Sequence, residues 1–287
     1  MVETRETAGW RVLVVGATGG VGQLVVAELL RQGIATRVIS RSHAKAQRLF
    51  ADAVEIAIAD LRHPDTLPPV LEGITHIICA TGTTAFPSKK WDADFEEQLS
   101  GIPSALAWGR IYWDGDYRRR HTHNRPGQVD GEGVANLVAA VQTNLERFVF
   151  LSSIGIERKD QVPFSILNAF GVLDAKQMGE TAIIKSGLPY TIIRPARLID
   201  GPYTSYDLNT LLKAQTQDRQ GVIIGTGDQL NGQASRIDVA AASVACLHYP
   251  VTVNQTFEIV NRGPRPSLLD WGQCFQTLKP PEKPPQP

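Results

Sequence analysis

The chain has 287 residues, with 29 Lys and Arg balanced by 29 Asp and Glu for a formal net charge of +0. That length suffices for one sizeable core, or a core with a smaller attached lobe. The charge balance gives no electrostatic footprint for nucleic acid or an anionic membrane surface. The three cysteines, Cys79, Cys246 and Cys274, form no C-x-x-C pair. No secretory leader or membrane-length apolar run is visible. A reducing, cytoplasmic setting is therefore expected, with peripheral membrane association left open.

Residues 11–22 read R-V-L-V-V-G-A-T-G-G-V-G, and an amphipathic run from Leu24 to Leu30 follows. This is a strand, a glycine-rich turn and a helix. The spacing of Gly16, Gly19 and Gly22 is a variant of the dinucleotide fingerprint. One glycine permits the tight turn, one lets the backbone approach a pyrophosphate, and one allows close helix–strand packing. The amides of Thr18, Gly20 and Val21 and the positive end of the helix dipole then face the anion.

The second strand, Ala35 to Ser40, ends in Arg41-Ser42. That end of a nucleotide-binding sheet faces the adenosine ribose. An acid there suits the 2′-hydroxyl of NAD, whereas Arg41 beside Ser42 suits a 2′-phosphate. The cofactor expected is NADP(H). Arg37, on the opposite face by strand alternation, is a weaker helper. His43 to Phe50 is a helix. Val54 to Ala59 is the third strand, ending at Asp60-Leu61, where Asp60 either accepts from an adenine amino group or caps the next turn. Pro64 to Leu71 is a short helix, and Thr75 to Ala80 is the fourth strand. Ala80, Thr81 and Gly82 are small enough for the backbone to pass beneath the nicotinamide-side ribose.

Residues 86–126 interrupt this rhythm as an irregular insertion. The segment holds three of the five tryptophans, Trp91, Trp108 and Trp113, and the run Y-R-R-R-H-T-H-N-R-P. Long irregular segments in compact domains are functional or disordered. His121 and His123 alone do not make a metal site, and no metal is expected. Val129 to Gln142 is a helix with an apolar stripe at Val134, Leu137, Val138 and Val141. Arg147 to Leu151 is the fifth strand, ending at Ser152-Ser153. A helix from Val172 to Ser186 carries Lys176 and Glu180. Tyr190 to Arg194 is the sixth strand, ending at Pro195-Ala196-Arg197. Further on, a helix is expected near Leu208 to Gln217, a short strand at Val222, a helix with Asp238 as its N-cap, and a strand from Gln255 to Val260.

The strand–helix alternation predicts an α/β fold with a Rossmann-type doubly wound parallel sheet. Ligands bind at the carboxyl ends of such strands. Gly16, Arg41, Asp60, Ala80, Ser152, Ser153 and Pro195 all fall there. Residues 1–278 are read as a single NAD(P)-binding domain in which 196–238 supply a small substrate lobe. The stretch from 279 to 287, K-P-P-E-K-P-P-Q-P, is read as a disordered or polyproline II tail.

With G-A-T-G-G-V-G, L-S-S-I-G, L-D-A-K-Q-M-G-E, S-G-L-P-Y-T-I-I-R-P and S-R-I-D-V-A in place, the chain resembles the short-chain dehydrogenase/reductase superfamily over residues 10–262. It is similar to the atypical NmrA-like and biliverdin-reductase-B-like branch, including its cyanobacterial and plastid members. The resemblance implies that Ser153, with Ser152 beside it, holds a substrate oxygen and that Lys176 binds the nicotinamide ribose. The family's proton-donating tyrosine stands four residues before that lysine, where this chain has Val172. Carbonyl reduction by the conventional route is thereby put in doubt.

Two functions follow from the resemblance. One is an NADPH-dependent reductase of a small conjugated acceptor such as a flavin, quinone or pigment, with Tyr203 or Tyr206 as substitute acids or as packing residues. The other is a non-catalytic NADP(H)-binding redox sensor or assembly factor for a larger complex. A protein partner would be met through 86–126 or the proline-rich tail.

Overall fold

The apolar runs of the first two thirds of the chain become six strands in the computed structural model, which describes residues 7–94, 104–142, 144–199 and 220–278. They are β1 (Arg11–Val15), β2 (Ala35–Ser40), β3 (Glu55–Ile58), β4 (His76–Cys79), β5 (Arg147–Leu151) and β6 (Tyr190–Pro195). All are parallel and lie in the order β3-β2-β1-β4-β5-β6. The order reverses between β1 and β4, and an α/β sheet opens a ligand crevice at that point.

The inner strands β1, β4, β5 and β6 are buried on both faces, so their residues are largely apolar in succession rather than alternately, whereas β3 at the edge is half-exposed. Val12 and Val14 face one layer with α1 (Gly20–Arg31) and α9 (Arg236–His248). Leu13 and Val15 face the other, with α3 (Pro68–Leu71), α6 (Gly133–Ala140) and α8 (Val172–Lys185). Shorter helices complete the connections: α2 (His43–Phe50), α4 (Ser104–Trp113), α5 (Gly115–His121), α7 (Phe164–Leu167) and α10 (Trp271–Phe275). The fold is a Rossmann-type, doubly wound α/β sheet.

The C-terminal third extends the sheet. The strand β10 (Gln255–Pro264) pairs parallel to β6, and β8 (Gln220–Gly225) pairs antiparallel to β10. Two short strands, β7 (Arg197–Leu198) and β9 (Gln233–Ala234), continue from β10. The expected helix near Leu208 to Gln217, Tyr203, Tyr206 and the tail from 279 lie outside the described residues.

Three sequence expectations are corrected. First, the insertion is not irregular throughout: it carries α4 and α5 in succession. Asp114 caps α5 by accepting from the Tyr117 amide at 2.9 Å, so a short polar helix starts where the apolar period gives no signal. Second, Asp238 is not an N-cap. Ser235 holds that position, and the Asp238 carboxylate is buried one turn inside α9, bound by Arg265 and Asn261. Third, Arg37, expected as a weaker helper at the cofactor, has its contacts elsewhere. It donates to the carbonyls of Val70 and Glu72 at 2.8 and 2.9 Å and pairs with Glu55, which ties β2 and β3 to α3.

Candidate functional site

The turn after β1 is built so that only glycine fits at two positions. Gly16 has φ +78°, and a Cβ there would lie 2.6 Å from the Ala80 carbonyl oxygen. A Cβ on Gly22 would lie 2.2 Å from the Gly16 oxygen. β1, β4 and α1 can therefore close on one another only through bare backbone. The Gly19 amide donates to the Gly16 carbonyl at 3.0 Å, and Gly19 is the N-cap of α1. Gly19 brings no side chain to cap the first amides, and the first turn of α1, from Gly20 through Val21 and Gly22, carries no acid. Thr18 is half-buried, its carbonyl accepting from Gln23. A helix start so furnished offers its N–H groups and dipole to an anion.

On one side of this turn lie the ends of β2 and β3. Arg41 is exposed and donates to the Asn124 side chain at 2.9 Å. Ser42 caps α2 by accepting from the Lys45 amide. Asp60 accepts from the Arg62 amide at 3.0 Å and from Nε and Nη2 of its guanidinium. Burial alone would raise the Asp60 pKa, but these bonds hold it below the usual carboxylate value. Of the two readings of Asp60, the capping one describes its contacts. Leu61 is buried against α6, and its carbonyl accepts from Asn136.

On the other side lie the ends of β4, β5 and β6. Lys176 is buried, and its Nζ donates to the carbonyls of Thr81 and Leu151 at 2.8 and 2.9 Å. It also forms an ion pair at 2.9 Å with Asp130, whose side chain is fully buried. Asp130 in turn accepts from the amide and hydroxyl of Thr83. Burial pushes the Asp130 pKa up, and Lys176 with Thr83 more than reverse it, leaving the carboxyl below its ordinary range. The family's lysine position thus ties β4 to β5 from within α8.

Ser152 donates its amide to Ile193, while its buried hydroxyl has no hydrogen-bond partner among the described residues. The Ser153 hydroxyl donates to the Ile154 carbonyl at 3.0 Å. Gly82 is exposed with open space around it. Pro195 ends β6, buried, and accepts from the Ile154 amide. Arg197 lies exposed on β7, beyond β9 in the pairing order. Val172 is the first residue of α8 and packs against the core.

The structure therefore brings Gly16 to Gly22, Ala80, Thr81, Leu151, Ser152 and Lys176 to one sheet edge, flanked by Arg41 and Asp60, and carries Arg197 to a separate strand. A glycine cradle, uncapped helix amides and an orphaned serine hydroxyl fit a dinucleotide. Sequence reasoning missed Asp130, Asn124 and Arg62. Among the described residues, no group of three or more His, Cys, Asp or Glu is arranged to hold a metal ion.

A family profile described as NAD(P)H-binding matches residues 16–250. The chain belongs to this NAD(P)H-binding family. A nicotinamide cofactor follows, and so does the atypical short-chain dehydrogenase/reductase branch that the motifs resemble. This NAD(P)H-binding chain is 31% identical to sanguinarine reductase of Eschscholzia californica, over 86% of its own length and 88% of the reductase. It is 27% identical to the photosystem II assembly factor Ycf39 of Trieres chinensis, over 85% of this chain and 62% of the factor. The chain thus spans less than two thirds of that relative's length. Among solved structures, the anaerobillin reductase ChuY of Escherichia coli O157:H7 shares the fold at TM-score 0.62 and 16% identity, with 90% of this chain and 100% of that one aligned.

Proposed function

We propose that this NAD(P)H-binding protein is an NADPH-dependent reductase of a small conjugated acceptor, a flavin, quinone or pigment-like molecule. The observation that carries the reading is the single sheet edge at which the glycine turn, Arg41 and the buried Ser152–Lys176 region meet. On this reading the turn from Gly16 to Gly22 holds the pyrophosphate, Arg41 and Ser42 the 2′-phosphate, and Asp60 and Leu61 border the adenine. Ala80 to Gly82, Ser152 and Pro195 border the nicotinamide ribose, with Lys176 holding that wall in place and Arg197 contributing from the lobe formed by 196–238. Lys45 supports the 2′-phosphate assignment: its pKa is held low by burial and then by the nearby cations Arg41, Lys90 and Arg48, a crowding that a phosphate relieves.

The nicotinamide supplies the hydride, and the protein supplies binding and orientation. Val172 has no proton to give, so the acceptor's proton comes from water. A positioned acid contributes about 10²–10⁴-fold, and a conjugated acceptor that spreads charge dispenses with most of that. Ser153 positions the acceptor. The three free cysteines, two of them buried, support a reducing cytoplasmic compartment.

The alternative is a non-catalytic NADP(H) sensor or assembly factor, favoured by the likeness to Ycf39 and by the loss of tyrosine at 172. The near-complete span of the reductase relative supports the enzyme reading. Calorimetric titration with NADPH and NADH, followed by NADPH oxidation assays across flavins, quinones and tetrapyrroles, tests both. The expected outcome is NADPH binding at least ~10-fold tighter than NADH, about 1.4 kcal/mol, with turnover of at least one acceptor. Binding without turnover of any acceptor selects the sensor. Absence of binding to either nucleotide overturns both.

A further inference from the structure

Two arginines at the carboxyl ends of neighbouring strands reach the same short stretch of chain. Arg41, just past β2, donates Nη1 to the Asn124 Oδ1 at 2.9 Å. Arg62, just past β3, donates Nη1 to the His123 carbonyl while the rest of its guanidinium forks onto Asp60. Residues 122–124 are fixed from the insertion side as well. The amides of His123 and Asn124 donate to the Trp91 carbonyl at 3.1 and 3.0 Å. The His123 Nε2 lies 2.9 Å from Asp94, and Ala93 bridges Thr122 in antiparallel fashion. Trp91 is itself buried, its indole N–H donating to the Thr84 carbonyl. The stretch is thus a strap across the ends of β2 and β3, and it belongs to the insertion rather than to the Rossmann core.

The consequence falls on Arg41. A guanidinium has five N–H donors in a fixed fork. The Asn124 bond uses one of them and restrains the group, leaving the rest for an oxyanion. An exposed arginine without such a bond loses rotamer entropy when it captures a phosphate, and affinity falls accordingly.

We propose that Asn124 is a positioning residue for Arg41, so that the insertion sets the preference for a 2′-phosphorylated nicotinamide cofactor. Coupling between two sites is reciprocal. Binding of that cofactor therefore tightens the docking of the strap and of α5, whereas the unphosphorylated cofactor does not. The inference rests on the reading of Arg41 as the 2′-phosphate contact.

The test is calorimetric titration with NADPH and with NADH of the full chain and of Arg41→Ala, Asn124→Ala and the double variant. Hydrogen exchange of residues 115–124 in the unsubstituted protein, with each cofactor, accompanies it. Asn124→Ala is expected to weaken NADPH binding roughly 3- to 10-fold and to leave NADH within about twofold, the scale of one hydrogen bond. It should have no further effect once Arg41 is gone. Residues 115–124 should gain protection with NADPH and not with NADH. A general loosening would weaken both cofactors alike.

If Arg41→Ala weakens both cofactors equally, the 2′-phosphate reading fails and this inference fails with it. If Arg41→Ala loses NADPH selectively but Asn124→Ala does not, the 2′-phosphate reading stands and the role of Asn124 is overturned. Equal protection by the two cofactors overturns the coupling without any variant having to fold.

Discussion

At the scale of single residues, the pair Lys176–Asp130 is the most consequential contact of the site. Both partners are buried, so removing one leaves an uncompensated charge in the interior. Asp130→Asn is expected to cost about 3–5 kcal/mol in urea unfolding. Adding Lys176→Met should recover much of that loss, because the second change removes the stranded ammonium. A cost below about 1 kcal/mol for Asp130→Asn, the range of exposed pairs, would show that the interior does not isolate this pair. The pH dependence has a definite sign. The folded Asp130 pKa lies below its unfolded value, so the unfolded chain binds more protons in acid. The stabilisation is complete above about pH 4 and is lost as pH falls through the folded pKa; Asp130→Asn should flatten that decline. Lys176 was legible from its motif. Asp130 also left a signal, since it stands four residues before Val134 on the apolar stripe. A search that scores only apolar residues passes over an acid lying on a buried face.

At the scale of elements, the strand–turn–helix from Arg11 to Arg31 was the most legible part of the chain. Its chemistry is local: a Cβ added at Gly16 or Gly22 would meet backbone at under 3 Å. Gly22→Ala tests that directly. The new methyl would sit 2.2 Å from the Gly16 carbonyl oxygen, forcing α1 away from the turn. NADPH affinity is expected to fall at least ~10-fold, about 1.4 kcal/mol, with the far-ultraviolet circular dichroism unchanged. Unaltered affinity in the folded variant would remove the turn from the cofactor site. The insertion was far less legible. Its helix α5 reads G-D-Y-R-R-R-H, with no apolar period, and is set by the Asp114 cap and by the Tyr117 ring, which stacks on His121 and lies under Arg110. These contacts are local, but polar and charged side chains make them, and a search for apolar period does not score such residues. The start of α9 was misplaced for a related reason: Asp238 resembles a cap, but tertiary partners on β10 and beyond it claim its carboxylate.

At the scale of the molecule, the strand–helix rhythm sufficed to read a doubly wound parallel sheet, whereas the order β3-β2-β1-β4-β5-β6 is set by tertiary pairing that the rhythm does not encode. The pairing of β10 with β6 and the antiparallel β8 required knowing where two distant segments return. On the proposed reading, the cofactor touches elements from most of this sheet, so its binding should stabilise the fold as a whole. At a free NADPH concentration of 100 Kd the gain is about 2.7 kcal/mol, or roughly 4–5 °C in Tm for a chain of this size. NADH at the same concentration should raise Tm distinctly less. Equal shifts in scanning calorimetry would count against discrimination at Arg41.

The turn that carries Asp130 also bears on how the chain tolerates changes in length. Residues Gly127–Glu132 form a π-helix, wider than the α-helix that follows. Deleting Gly131 or Glu132, between Asp130 and α6, would rotate Asp130 by about 100° relative to α6 and swing its carboxylate away from Lys176. The consecutive helices α4 and α5 upstream impose no such phase. In alignments of related chains, gaps should therefore gather before Asp114 and be missing between Gly127 and Ala140, a pattern dictated by helical register rather than by chemistry.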